Sequence, residues 1–401
     1  MTQQLPTKQH LLAVLLEDYY HVGAFDYLIQ RGQWTRFETR FEHNTLVALD
    51  LLDRFQAKVT FFSLGWIAER QPEIIQEIRR RGHEIALYSN LDLARTTPTE
   101  FQDEVKRARA SLEEASEQRV LGFRAAQRWQ LKQVRWALEI LAKEGFTYDA
   151  SIAPTADVLR LHPEQRFAHS LQLDGKEFWE FPVSTCKFPG FLMPIAGGNF
   201  FRQFPHTLIK QAVRKWHESY DAPFVMYFHV WELDRLQPRI NSASSLAKIR
   251  HYRNLGKMYW VIEDYLEQYG FTSFAKYLNL DTTLAPELIR TNSVKAREVI
   301  QVQAAEVNKT PISIIIPCFN EESSLPYLAN TLVSVEESLS DKYQPNFIFV
   351  DDRSTDTTRE LLQKLFGSKP NVTIVSHKKN RGVAAAIMTG LHAAKTEIAC
   401  S

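Results

Sequence analysis

The sequence predicts two α/β units in series: a distorted (β/α) barrel over residues 1–280 and a partial Rossmann-like unit over 311–401. Three observations predict it. Short β-branched and aromatic runs alternate with segments of helical apolar spacing, the pattern of parallel strands joined by crossover helices. Several runs end in a carboxylate, an arginine or a histidine, and strand ends are where such sheets and barrels gather their chemistry. Between the units, residues 281–310 lose periodicity and read as a linker.

Taken in order, an apolar run from Leu11 to Leu16 breaks into Glu17-Asp18. Residues 44–55 carry Leu46, Leu49, Leu52 and Phe55 at helical spacing. Residues 58–64 read as a strand and 66–81 as a helix stopped by Gly82. A strand at 84–87 and a helix at 98–117 follow, with Pro98 suited to the first turn. Further strands are expected at 120–124, 178–183 and 224–229, a helix at 133–145, and one long helix over 242–269. In the second unit the strands are 312–316, 347–350, 372–375 and 397–400, and the helices 321–339, 355–366 and 382–394.

Composition excludes several classes. With 44% hydrophobic residues the chain can bury real cores and is not of disordered composition. Its 48 basic and 47 acidic residues leave a net charge of +1, which points to neither nucleic acid nor an anionic membrane surface. Cys186, Cys318 and Cys400 are odd in number and far apart, so they form no disulfide framework or metal cluster. Such usage suits a reducing cytoplasm. No run approaches the roughly 20 apolar residues of a membrane span.

Residues 11 to about 275 resemble the polysaccharide deacetylases of carbohydrate esterase family 4, in particular the exopolysaccharide-associated subfamily. The resemblance is carried by Glu17-Asp18-Tyr19-Tyr20-His21-Val22, by residues 59–70, by Gly82-His83-Glu84-Ile85-Ala86 and by Gly122-Phe123-Arg124-Ala125. It continues through Ala196-Gly197-Gly198-Asn199-Phe200-Phe201-Arg202, residues 225–234 and Pro238-Arg239-Ile240. The family uses a divalent metal, usually zinc, to polarise an acetyl carbonyl and to lower the pKa of bound water. A carboxylate and two histidines hold it; an aspartate acts as base and a histidine as leaving-group acid.

The resemblance puts the metal carboxylate at Glu17, the acid at His229 and the base-orienting arginine at Arg124. Three positions depart. The base position is Leu15, which accepts no proton. The two histidine ligands are Tyr88 and Asp92, and the proline after the arginine pair is Ala126. Zinc is therefore not expected. Glu17, Asp18 and Asp92 offer oxygen to a harder cation, magnesium or calcium. Without the resemblance, His229 reads as a core histidine, Arg124 as an ion-pair partner of Glu17 or Asp18, and His21 and His83 as packing residues. Trp66, Trp129, Trp179 and Trp231 read as core, or as a sugar-stacking cleft.

Residues 311–401 resemble the family 2 glycosyltransferases of the GT-A fold, through residues 314–321, Val350-Asp351-Asp352-Arg353-Ser354-Thr355-Asp356-Thr357-Thr358, and Asn380-Arg381-Gly382 with Gly390. The resemblance implies a nucleoside cupped by Pro317, Asn320 and Glu321. It implies that Asp352 accepts the uracil imide N–H with Asp351 in the same nucleotide-sugar site, both otherwise reading as caps of the helix at Thr355, and that Arg381 and Gly382 open a helix N-terminus suited to a diphosphate. Arg353 stands where the family usually has glycine. The expected metal motif Asp-x-Asp, for magnesium or manganese, would come after Ser401, so the chain reads as the nucleotide half of a longer transferase.

These observations predict a deacetylase-like barrel with its metal and catalytic positions substituted, joined to a partial sugar transferase of exopolysaccharide or envelope glycan synthesis. The expected partners are a polysaccharide or oligosaccharide and, in a complete transferase, a UDP-sugar donor. Two alternatives stand beside this reading: an active metal-dependent N-deacetylase with altered ligands, and a non-catalytic carbohydrate-binding module.

Overall fold

The computed structural model describes residues 8–284 and 309–400, apart from 24, 26, 128, 130, 155–158, 161, 189–190, 241, 323, 326–327, 329–331, 333–334, 337–338 and 340–341. It divides into two compact units, one of Met1–Leu28 with Thr39–Glu298, the other of Ile29–Glu38 with Val299–Ser401. Most of the expected linker, residues 285–308, lies outside the described residues.

The first unit is built on one curled sheet. Its strands are β1 (Gln9–Leu16), β2 (Thr60–Leu64), β3 (Glu84–Ser89), β4 (Gly122–Ala125), β5 (Tyr148–Asp149), β6 (His169–Leu173), β7 (Lys176–Glu180), β10 (Val225–His229) and β11 (Gly270–Thr272). A separate hairpin, β8 (Thr185–Phe188) with β9 (Phe191–Pro194), stands between β7 and β10 in the chain. The sheet order is β10-β1-β2-β3-β4-β5-β7-β6, with β11 on β1. All its pairings are parallel except the β6–β7 hairpin. Among the described strands β10 and β6 stay unjoined, so the barrel is a curled half. β1 is buried from His10 to Leu16, as a strand covered on both faces must be.

The covering helices are α1 (Phe41–Arg54), α2 (Gly65–Arg70), α3 (Pro72–Arg80), α4 (Pro98–Ser116), α5 (Leu131–Lys143), α6 (Asn199–Gln203), α7 (His206–Ser219), α8 (Ser245–Tyr252), α9 (Met258–Gln268) and α10 (Phe274–Tyr277). α4 opens on a capping box, Thr97 with Glu100, and has Pro98 in its first turn. Two expected helices are each divided. Residues 66–81 break at Gln71, because Pro72 lacks the N–H that would continue the helix and restricts the residue before it. Residues 242–269 break at Asn254, whose φ of 56° is left-handed and leads into a 3-10 turn at Leu255–Lys257.

In the second unit β12 (Thr310–Cys318), β13 (Tyr343–Asp351), β14 (Val372–Ser376) and β15 (Ile398–Cys400) form a parallel sheet in the order β14-β13-β12-β15. Its helices include α11 (Thr358–Phe366) and α12 (Val383–Ala393). Phe347, Phe349, Leu362 and Phe366 make one core cluster; Ile315, Ile348, Val350 and Ala386 make another. The expected helix over 321–339 falls only partly among the described residues. No helix among the described residues is long and apolar enough to cross a membrane.

Candidate functional site

Parallel register sets the strand ends of the first unit side by side. Leu15 on β1 pairs with His229 on β10, Leu64 on β2 with Tyr88 on β3, and Tyr88 with Arg124 on β4. Two residues beyond Leu15, the Glu17 carboxylate turns inward and is 1% exposed. His229 Nδ1 donates to Glu17 Oε1 at 2.6 Å, and Trp231 Nε1 donates to the same oxygen at 3.2 Å. Glu17 Oε2 is buried with no hydrogen-bond partner among the described residues. Tyr88 stands near enough to feel the Glu17 charge. Burial, then repulsion from Glu17, pushes the phenol far above its ordinary range, so Tyr88 stays protonated.

His229 is held from behind. Its backbone N–H donates to Glu232 Oε2 at 3.0 Å, while Arg202 Nε donates to Glu232 Oε1 at 2.7 Å. Trp231 lies between the Arg202 guanidinium, 5.0 Å from its ring centre, and the His251 ring, stacked at 4.2 Å. Gly197 and Gly198 let the loop before α6 press onto β10: Tyr227 N donates to Ala196 O, and Gly198 N to Tyr227 O. A Cβ at Gly197 would stand 1.9 Å from that Tyr227 oxygen, so only glycine fits. With Nδ1 committed to Glu17, the other ring nitrogen of His229 is left for proton transfer.

The remaining expected residues of this site are used elsewhere. Asp18 accepts from Arg40 N at 2.6 Å, Phe41 N at 3.1 Å and Tyr19 N at 3.0 Å, tying β1 to the start of α1. Burial pushes its pKa up to about 7 against those hydrogen bonds. Asp92 closes a turn, accepting from Ala94 N at 3.0 Å. Arg124 pairs with neither Glu17 nor Asp18. Its Nη1 donates to Ala150 O at 2.6 Å and its guanidinium lies 4.7 Å from the Tyr227 ring centre. His21 Nδ1 accepts from Asp18 N at 2.9 Å. His83 Nδ1 accepts from Val59 N at 3.3 Å, and burial lowers its pKa to about 4. Trp129 and Trp231 are buried, as core residues, while Trp66 and Trp179 are half-buried.

The second unit gathers its three motifs at the ends of β12 and β13. Asn320, with φ 56°, accepts from Thr355 N at 2.8 Å through Oδ1, and its own N–H donates to Ser354 Oγ at 3.0 Å. Glu321 N donates to Thr358 Oγ1 at 2.7 Å. Asp351 Oδ1 accepts from Ser354 N at 2.9 Å, capping the turn before α11. Asp352 is tied to the loop before α12. Its Oδ1 accepts from His377 Nδ1 at 2.6 Å and Arg381 N at 2.8 Å, and its Oδ2 from Gly382 N at 2.7 Å. Burial opposes its charge, yet these donors hold it below the ordinary carboxylate range. Asp352 thus fixes the loop that opens α12. Arg381, Lys378 and Lys379 are exposed there, beside the helix N-terminus.

Three families match this chain in succession. Residues 31–148 match the polysaccharide deacetylases, 150–279 a domain of unknown function, DUF3473, and 313–400 the family 2 glycosyl transferases. The chain joins a polysaccharide deacetylase-family unit to a family 2 glycosyltransferase unit. A prophage bactoprenol glucosyl transferase homolog of Escherichia coli (strain K12) is 35% identical over 80 residues, 20% of this chain and 26% of that protein. An undecaprenyl-phosphate 4-deoxy-4-formamido-L-arabinose transferase of Aeromonas hydrophila is 34% identical over 88 residues, 22% of this chain and 26% of that protein. The chain thus spans about a quarter of the length of these relatives. Among solved structures, a putative polysaccharide deacetylase from Mycobacterium smegmatis aligns with TM-score 0.40 and 18% identity over 74% of this chain and 96% of its own. A probable polysaccharide deacetylase from Pseudomonas aeruginosa aligns with TM-score 0.39 and 16% identity over 64% and 83%.

The deacetylase family implies a metal, and the residues at hand can be tested for it. Glu17 Oε2, buried without a hydrogen bond of good geometry, is the feature among the described residues that would favour a cation. The donor set does not support it. Tyr88 keeps its proton, Asp18 is filled by backbone amides, and Asp92 serves its turn. Among the described residues no three His, Cys, Asp or Glu side chains converge to hold a metal ion. Zinc needs about four ligands and calcium six or more, and Glu17 supplies one oxygen. The residues present do not fit the group.

Three contributors have no assigned role in the sequence reading: Glu232, Arg202 and His377. Glu232 and Arg202 stand inside segments that carry the family resemblance, and that is their one signal. His377 lies outside every motif and gives none.

Proposed function

We propose that the deacetylase-family unit does not hydrolyse acetamides and serves a glycan-synthesising protein as a glycan-facing fold. The observation that carries this is the Glu17–His229 hydrogen bond of 2.6 Å beside Leu15, which is 2% exposed. The carboxylate that would hold a metal is engaged by the imidazole, and an alkyl side chain fills the base's place. A carboxylate–imidazole pair can still move a proton, but Leu15 cannot act as the base that the family's reaction uses and the donors around Glu17 do not make a metal site to activate water. Purified chain supplied with zinc should release no acetate from an N-acetylated oligosaccharide. Zinc-dependent release that Glu17→Gln abolishes would overturn the reading.

The glycosyltransferase-family unit, in this reading, supplies the nucleotide half of a sugar transfer in envelope glycan synthesis, with a UDP-sugar as donor. The curated relatives, bactoprenol and undecaprenyl-phosphate sugar transferases, support a polyprenyl phosphate or a polysaccharide as acceptor. The basic, exposed loop at Arg381 and the α12 N-terminus suit a diphosphate. Calorimetry should find saturable UDP binding that Arg381→Ala weakens about tenfold. Absence of UDP binding, or binding indifferent to Arg381, would contradict this assignment.

A further inference from the structure

Apart from the strand-end site, the first unit carries a partly open cavity of about 60 Å³. That exceeds the roughly 10–15 Å³ one water requires and has room for a group of a few heavy atoms. Arg166, Lys187 and Lys215 line it with Thr185, Cys186 and Tyr220, and no carboxylate is among its lining residues. It lies wholly within the segment that matches the domain of unknown function.

Arg166 is the unusual member. It is 8% exposed and carries a full charge. Its Nη1 donates to Tyr220 Oη at 2.9 Å and its Nη2 to Thr185 O at 2.5 Å, both neutral acceptors. Trp216 and Tyr220 stand 5.0 and 4.8 Å from the guanidinium carbon and keep water off it. Its Nε and the Thr185 Oγ1 are buried with no hydrogen-bond partner among the described residues. A buried cation ordinarily has a carboxylate opposite it, because desolvation is otherwise uncompensated. Here two further cations, the exposed Lys187 and Lys215, stand at the same cavity instead.

We infer that this cavity is a binding site for a small oxyanion group: phosphate, sulfate or carboxylate. The buried guanidinium supplies directed donors in a dry setting, where charge-assisted hydrogen bonds are strongest, and the lysines supply charge at the mouth. The anion is either free or carried on a sugar, and both present the same oxygens.

The test uses the whole chain. Calorimetric titrations with inorganic phosphate, glucose 1-phosphate and glucuronate are run in parallel against chloride at matched ionic strength. Alkylation of Cys186 by iodoacetamide, followed on its peptide by mass spectrometry, reports whether the cavity is filled. At least one of the three anions should bind saturably and slow Cys186 alkylation. The double variant Lys187→Gln/Lys215→Gln, with an unchanged melting temperature, should weaken that binding about tenfold or more. Tightest binding of phosphate assigns a free anion; tighter glucose 1-phosphate or glucuronate assigns one borne on a sugar. The inference is overturned if none of the three binds saturably, if the double variant binds equally well, or if Cys186 reacts at an unchanged rate in their presence.

Discussion

Leu15, Glu17 and His229 sit within one rung of each other, and their chemistry follows from that closeness. Glu17 and His229 were legible in the sequence because each ends a strand inside a recognisable motif. The amides that Asp18 accepts from are not legible there, since no local pattern says that the start of α1 will claim its oxygens. The loop contacts of Asp352 are not legible for the same reason: its donors come from a loop 29 and 30 residues away. Arg353 was read correctly as an oddity, and its φ of 63° shows why glycine suits the position. A left-handed residue with a Cβ costs roughly 1–2 kcal/mol, offset in part by the greater chain entropy of glycine when unfolded. Arg353→Gly should therefore raise urea-unfolding stability of the second unit by up to about 1 kcal/mol. A clear loss of stability would mean that the arginine side chain holds the turn.

Elements were easier to place than their joints. Most strands with a dense β-branched or aromatic run were legible, and so was α4 with Pro98 in its first turn, though not its Thr97–Glu100 capping box. The β6–β7 hairpin was missed although Asp174-Gly175, both at positive φ, is a strong two-residue turn signal. Its flanking runs are short and polar, so they carry no apolar strand signal. The hairpin matters because β7 brings Glu180 level with Asp149 on β5. Asp149 is itself tied to Ser151, and Arg124 lies on the adjoining strand. Both Glu180 oxygens are buried without a hydrogen bond of good geometry. Burial first, then the Asp149 charge, pushes the Glu180 pKa well above its ordinary 4.5; burial alone raises Asp149 to about 6. For a carboxyl raised in the folded state, stability is whole below the unfolded pKa and is lost as pH climbs from there through the folded value. Stability of the first unit should therefore carry a downward component from about pH 4.5 upward that Glu180→Gln removes. His10 and His83, lowered to about 3 and about 4 by burial, act oppositely as pH falls below 6.5, so the comparison with the variant isolates Glu180. Equal pH slopes for the two proteins in urea titrations would show that Glu180 is not held protonated.

At the scale of the whole molecule, two units of different ancestry keep different parts of their inherited sites. The glycosyltransferase-family unit keeps its motif loops, knitted together through Asn320, Thr355 and Asp352. The deacetylase-family unit keeps the frame: parallel register, the Gly197-Gly198 contact with β10, and the Arg202–Glu232 support behind His229. At three positions that the family resemblance marks, this chain carries Leu15, Tyr88 and Asp92; those residues were visible in the sequence, while the hydrogen bond between His229 and Glu17 was not. The most direct test is acetate release from an N-acetylated oligosaccharide by the natural chain, beside the variant Leu15→Asp/Tyr88→His/Asp92→His, each with added zinc. The natural chain is predicted to bind no stoichiometric zinc and to release no acetate, whatever the variant does. Stoichiometric zinc in the natural chain, with acetate release that a chelator stops, would contradict it.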